Sequence, residues 1–87
     1  MRIKDTLDDV SVRIEEIYVP AGRRHDVKPE VVAELAESIL EEGLKVPISV
    51  REGDGRYVLV SGLQRLEACK ALGEETITAI IVQARQH

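Results

Sequence analysis

Residues 57–73, YVLVSGLQRLEACKALG, constrain this chain more than any other stretch. Tyr57, Val58, Leu59 and Val60 read as a strand that is apolar on both faces and therefore central in a sheet. Ser61-Gly62 makes a sharp turn. Beyond it, Leu66, Cys69 and Leu72 recur at helical spacing, with Glu67, Lys70 and Glu74 on the opposite face, and Gly73 stops the helix. A strand that feeds a helix through a glycine leaves unbonded N–H groups at the helix start. Those groups and the positive end of the helix dipole favour an anion. Gly62 allows close approach to the backbone.

Arg65 lies on the border of the apolar stripe, beside Leu72 and Cys69. A guanidinium there needs a charged or strongly polar partner. Two readings stand side by side: an internal ion pair with a glutamate, or a bound phosphate or carboxylate, which the planar fork suits. Ser61 and Gln64 have the spacing of a capping box, each satisfying a first-turn N–H. Leu63 falls on the wet side of the helix, where it is free to touch a partner chain.

The chain has 87 residues, enough for one domain with one core. It has no Phe or Trp, so Val, Ile, Leu and Ala must fill the core, and only Tyr18 and Tyr57 could stack on bases. A formal net charge of −4 argues against a free-standing, non-specific nucleic-acid binder. The single cysteine, Cys69, excludes an internal disulfide and reads as a small core residue. No metal-ligand cluster is visible. Without a signal peptide or long apolar run, the chain is expected in the cytoplasm, with no membrane partner.

Residues 1–9 read as a charged, flexible lead-in and residues 84–87 as a tail, leaving one domain over 10–83. Val10, Val12 and Ile14 alternate with polar residues as a strand whose phase slips near Glu15-Glu16. Pro20-Ala21-Gly22 breaks the pattern, and a loop follows with Arg23, Arg24, His25 and Asp26. This small cationic cluster is either a solvated loop or, if the fold carries it towards Arg65, part of the same site. Pro29 and Glu30 open an amphipathic helix with Val31, Val32, Leu35, Ala36 and Ile39 on one face and Gly43 as its stop. Val46, Ile48 and Val50 mark a strand, placed near a sheet edge by Pro47. Residues 52–55 are a turn with two glycines free to take positive φ. Residues 76–82 are a last buried strand. The order is β-α-β-β-α-β: a small mixed α/β (α+β) sheet with two helices, in which residues 57–82 can form one right-handed strand-helix-strand crossover.

These residues resemble the ParB/sulfiredoxin superfamily, and specifically the ParB N-terminal domain. The matching pattern is I-x-V-P…RR…V-x-x-L-A-x-S-I-x-x-x-G-L-x-x-P-I-x-V-R, then Y-x-L-V-x-G-x-x-R-L-E-A-x-K-x-L-G, over residues 12–82. The resemblance implies a strand-turn-helix element that holds nucleotide phosphates. Its members include CTP-switched ParB domains, ATP-using sulfiredoxins and ADP-dependent serine kinases. Gly62 and Arg65 match the ends of the Gly-Glu-Arg-Arg motif of ParB and the Gly-Cys-His-Arg motif of sulfiredoxin. Leu63 replaces the glutamate or the catalytic cysteine, and Gln64 the arginine or histidine, so sulfiredoxin chemistry lacks its thiol. Arg23 or Arg24 looks like the arginine that ParB domains place before their first helix. No third nucleotide motif, helix-turn-helix or dimerisation segment follows, so this chain alone is not expected to form a ParB clamp.

The resemblance therefore implies a regulatory module that binds CTP or ATP with Mg²⁺ through Arg23, Arg24, Ser61, Gly62, Gln64 and Arg65. It would act near DNA partition or transcription through protein partners or as a homodimer, while the acidic charge argues against direct DNA binding. Two alternatives accompany it. One is an interaction module on a degenerate fold. The other is a small phosphotransferase or NTPase whose base is His25, Asp26 or Glu30.

Overall fold

The computed structural model describes residues 9–82. The expected lead-in and tail fall outside these residues except for Asp9, which already belongs to the first strand. In chain order the elements are β1 (Asp9–Arg13), a one-turn 3₁₀ helix (Ile14–Glu16), β2 (Ile17–Tyr18), a second 3₁₀ segment (Ala21–Asp26), α1 (Pro29–Glu42), β3 (Ile48–Gly53), β4 (Arg56–Ser61), α2 (Leu63–Ala71) and β5 (Thr76–Ile81). The five strands form one mixed sheet in the order β1-β5-β3-β4-β2. The small mixed α/β fold with two main helices is as the sequence implied.

The phase slip at Glu15-Glu16 is the 3₁₀ turn that separates β1 from β2. It lets the first strand pair with β5 at one edge while Ile17 and Tyr18 pair with Tyr57 and Val58 at the other. The segment with Arg23 is a 3₁₀ helix rather than an irregular loop.

Two expectations about the sheet need correction. β3 is interior, between β5 and β4, with Ile48 and Val50 fully buried. Pro47 does not force an edge because it precedes the strand, so no ladder N–H is lost. Next, β4 and β5 do not flank a parallel crossover. β3 lies between them, antiparallel to β4 and parallel to β5, so β4 and β5 run in opposite directions. β4 is interior, as its apolar run implied; its outer neighbour is the two-residue β2, and Val60 near its end is 40% exposed. The β3–β4 hairpin turns on Asp54 and Gly55, both at positive φ (54° and 77°), while Gly53 stays in the strand. An Asp-Gly pair at positive φ is the turn whose twist matches that of the flanking strands.

The core lies on one side of the sheet. Val12, Ile48, Val50, Leu59, Ile77 and Ala79 meet Leu63, Leu66 and Cys69 of α2. α2 packs against β3, and α1 packs on α2. α2 thus lies between β3 and α1, with Lys70 and Ala71 left exposed, and Ile39 of α1 also reaches the core.

Candidate functional site

β4 ends at Ser61 and α2 begins at Leu63, so Gly62 is the whole connection. Gly62 is the helix N-cap at φ 104°, ψ 28°, a left-handed conformation that L side chains rarely adopt. A Cβ there would also stand 2.7 Å from Ile48 Cγ2 and 3.1 Å from Arg65 Nη2. The glycine is required twice, by backbone angle and by contact with the core strand beneath it. Ser61 is exposed and Gly62 half-buried, so the turn is open to solvent.

The capping box does not form. The N-cap is Gly62, which has no side chain, so Ser61 falls one position short of the cap, and Gln64 turns away from the helix start. Its Oε1 accepts the Lys28 N–H at 2.9 Å, and its Nε2 donates to the Asp26 carbonyl at 2.8 Å. The first-turn N–H groups therefore lack the side-chain acceptors that the Ser61/Gln64 spacing implied. Leu63 also departs from expectation. It is 5% exposed and packed in the core, not on a wet face. α2 has α1 on its outer side, so its buried surface is wider than the single Leu66-Cys69-Leu72 stripe.

Arg65 is half-buried beneath the turn. Its Nη2 donates to the Pro47 carbonyl at 3.3 Å, and its Nε is buried without a partner. The ion pairs among the described residues join Arg13 to Glu15, Lys45 to Glu42 and Lys70 to Glu67, so no carboxylate holds Arg65. A guanidinium with one long hydrogen bond to a neutral carbonyl keeps most of its donor capacity and its full charge.

The fold brings Arg23 to the end of β4 that carries the turn, while Arg24 turns towards Val19 and Tyr18. Arg23 Nη1 donates to the Val60 carbonyl at 2.6 Å, two residues ahead of Gly62. Arg24 Nε donates to the Val19 carbonyl at 2.9 Å, and its guanidinium lies 5.4 Å from the centre of the Tyr18 ring. Arg56 stacks more closely on the same ring, at 3.9 Å, a cation–π contact that spacing within the sequence could not disclose. His25 and Asp26 end this 3₁₀ segment, Glu30 sits in the first turn of α1, and all three are exposed. Cys69 is 3% exposed in the core, and burial, then the charge of Glu74, pushes its thiol above its ordinary value. No cluster of three or more His, Cys, Asp or Glu able to hold a metal occurs among the described residues. Concavities of about 490 Å³ at the β3–β4 hairpin and about 610 Å³ between α1 and α2 lie away from Gly62. An anion at the turn would rest in a shallow, solvent-facing seat.

A family model described as the ParB N-terminal domain matches residues 3–87. The chain belongs to the ParB N-terminal domain family. Within that setting, it is 42% identical over 78 residues to a probable chromosome-partitioning protein ParB of Campylobacter jejuni, covering 88% of this chain and 28% of that protein. The crystal structure of sulfiredoxin from Arabidopsis thaliana superposes with a TM-score of 0.80 at 39% identity, over 88% of this chain and 86% of that one. The ParB of Caulobacter crescentus, C-terminally truncated and complexed with CTP-gamma-S, superposes with a TM-score of 0.75 at 26% identity, over 91% of this chain and 46% of that one. The chain spans 28% of the Campylobacter ParB and 54% of the length of Arabidopsis sulfiredoxin. Among the described residues no helix is long and apolar enough to cross a membrane.

Proposed function

We propose that this ParB-type domain is a nucleotide-binding regulatory module that takes CTP or ATP with Mg²⁺ at the β4–α2 turn. The observation that carries the reading is Arg65: a half-buried guanidinium with a partnerless Nε and no carboxylate, directly under a glycine turn whose helix has no side-chain cap. Burying a charge without an acid is costly unless a ligand supplies the opposite charge. The phosphates would rest on the first-turn N–H groups of α2, with the Ser61 hydroxyl beside them. Arg65 would neutralise them from below, and Arg23 and Arg24 from the arm formed by Ala21–Asp26. Gln64 belongs to the same site through its bonds to that arm. Mg²⁺ would be held largely by the phosphate oxygens, as is usual for this ion. The Caulobacter ParB bound to CTP-gamma-S and the partition role named for the Campylobacter protein support the choice of ligand and of process. The module would act in the cytoplasm, as a homodimer or beside DNA-binding partners.

Calorimetric titration with CTP, ATP, ADP and GTP, each with Mg²⁺, tests this reading. Saturable heat with CTP or ATP is expected. No heat with any of them, at protein concentrations able to register a Kd of about 100 μM, removes it.

Two further readings have an observation each. His25, Asp26 and Glu30 lie exposed at the arm and α1 start, where one could serve as base for a weak NTPase or phosphotransferase. Phosphate release that H25A, D26A and E30A all leave unchanged counts against it. The half-exposed apolar residues of α1 and the groove beside α2 favour an interaction module instead. Partner binding that survives Arg65→Met without any nucleotide effect would favour that third reading.

A further inference from the structure

The arm that carries Arg23 and Arg24 buries none of its six residues; apolar packing holds only its flanks, at Val19 and Val27, and not the arm itself. Its attachments are polar: Arg23 to the Val60 carbonyl, Arg24 to the Val19 carbonyl, and the Gln64 amide at its far end. Gln64 grips that end from both directions. It accepts from Lys28, the N-cap of α1, and donates to Asp26, the last residue of the arm. A primary amide carries donor and acceptor on one planar head, which a lysine, arginine or carboxylate does not. These two bonds join segments 36 and 38 residues apart and tie the arm to the first turn of α2.

We propose that Gln64 is a positioning residue for nucleotide binding: it latches the arginine arm to the first turn of α2, so that Arg23 stands beside the Gly62 turn before a ligand arrives. The inference rests on the nucleotide reading above and deepens it. Gln64 acts through Arg23: its oxygen accepts from Lys28 and one Nε2 hydrogen goes to Asp26, so both bonds serve the arm. Fixing a flexible cation in advance removes an ordering cost from binding.

Five proteins test the latch: the parent chain, Gln64→Leu, Gln64→Glu, Arg23→Gln and the Q64L/R23Q double variant, which closes the cycle. The first readout needs no ligand. Hydrogen exchange of the amides of residues 22–28 is expected to rise about tenfold in Q64L, the ratio that losing one or two ordinary hydrogen bonds produces. Q64E keeps the acceptor for Lys28 and loses the donor to Asp26, so it should fall between parent and Q64L. The second readout is the Kd for CTP or ATP with Mg²⁺, expected to weaken about five- to tenfold in Q64L and less in Q64E. In the R23Q background the further loss from Q64L should be under about twofold, because the two act on one arm. Unchanged arm exchange in Q64L overturns the latch. So does an additive cycle, or a Q64E protein that loses all binding while its arm stays protected, which is the signature of direct phosphate contact. If the parent binds no nucleotide, the proposed function fails, while the exchange comparison still decides whether the latch exists.

Discussion

α1 and α2 lie side by side and differ in depth. α1 has 14 residues and buries none of them fully; its apolar residues Val31, Val32, Leu35, Ala36 and Ile39 are all only half-covered. α2 has nine residues and buries Leu63, Leu66, Ala68 and Cys69. The difference follows from which helix meets the sheet more closely: α2 packs on β3 and supplies Leu63, Leu66 and Cys69 to the core, while α1 packs on α2 and reaches the core only through half-buried Ile39. A helix between two layers becomes rigid and spends its amphipathic face on the core, while its first turn is fixed against the sheet. A helix in the outer layer keeps its start tied by polar contacts, here those of Gln64. The candidate site uses both: a rigid seat from α2 and an arm held on α1's side.

The sharpest way to break this contrast is paired truncation. Leu66 is 1% exposed, and Leu66→Ala is expected to lower stability by about 3–5 kcal/mol, the range for a buried leucine whose cavity cannot collapse. Leu35→Ala, in the half-covered layer, should cost about 1–2 kcal/mol. Urea denaturation of the two variants measures the gap. Equal losses would mean that α1 is as deeply seated as α2.

Much of this was legible in the sequence, for identifiable reasons. Pro29 and Gly43 bound α1 because backbone preference alone sets them. Arg65 and Gly62 stand out because a cation at a core border and a glycine between strand and helix both demand a cause. Leu63 and the crossover were misread because each depends on what lies beside an element. Helical spacing cannot reveal that α1 covers the outer side of α2, nor that β3 inserts between β4 and β5. The capping box failed for a related reason. Ser61 and Gln64 have the right spacing, but the helix starts after Gly62, and Lys28 and Asp26, far away in sequence, offer Gln64 a donor and an acceptor.

The seat itself gives the next two effects in size. Gly62→Ala must place a Cβ at φ 104° and 2.7 Å from Ile48 Cγ2, so a loss on the order of 2–3 kcal/mol is expected, with weakened nucleotide binding. Arg65→Met separates stability from function. An arginine clasped by a buried acid would cost about 3–5 kcal/mol to remove. Arg65 has only the 3.3 Å contact with the Pro47 carbonyl, so R65M should stay within about 1 kcal/mol of the parent while its calorimetric signal with CTP or ATP disappears. A large destabilisation with nucleotide binding retained would reverse the assignment and make Arg65 a structural residue.

The smallest expected effect probes the outer layer. Leu40 is 75% exposed near the end of α1, whose last turn holds Glu41 and Glu42 and no basic residue. Those carboxylates sit at the negative end of the helix dipole, where a cation is favoured. Leu40→Lys therefore gives up little buried surface and gains a charge of the right sign, so stability should change by less than about 0.5 kcal/mol, with a gain more natural than a loss. Thermal melts measured with analytical ultracentrifugation make this decisive. A drop of more than about 1 kcal/mol, together with a shift from a larger species to monomer, would show that another copy covers this face in solution. In that case α1 is an inner layer of an assembly, and its difference from α2 belongs to the isolated chain alone.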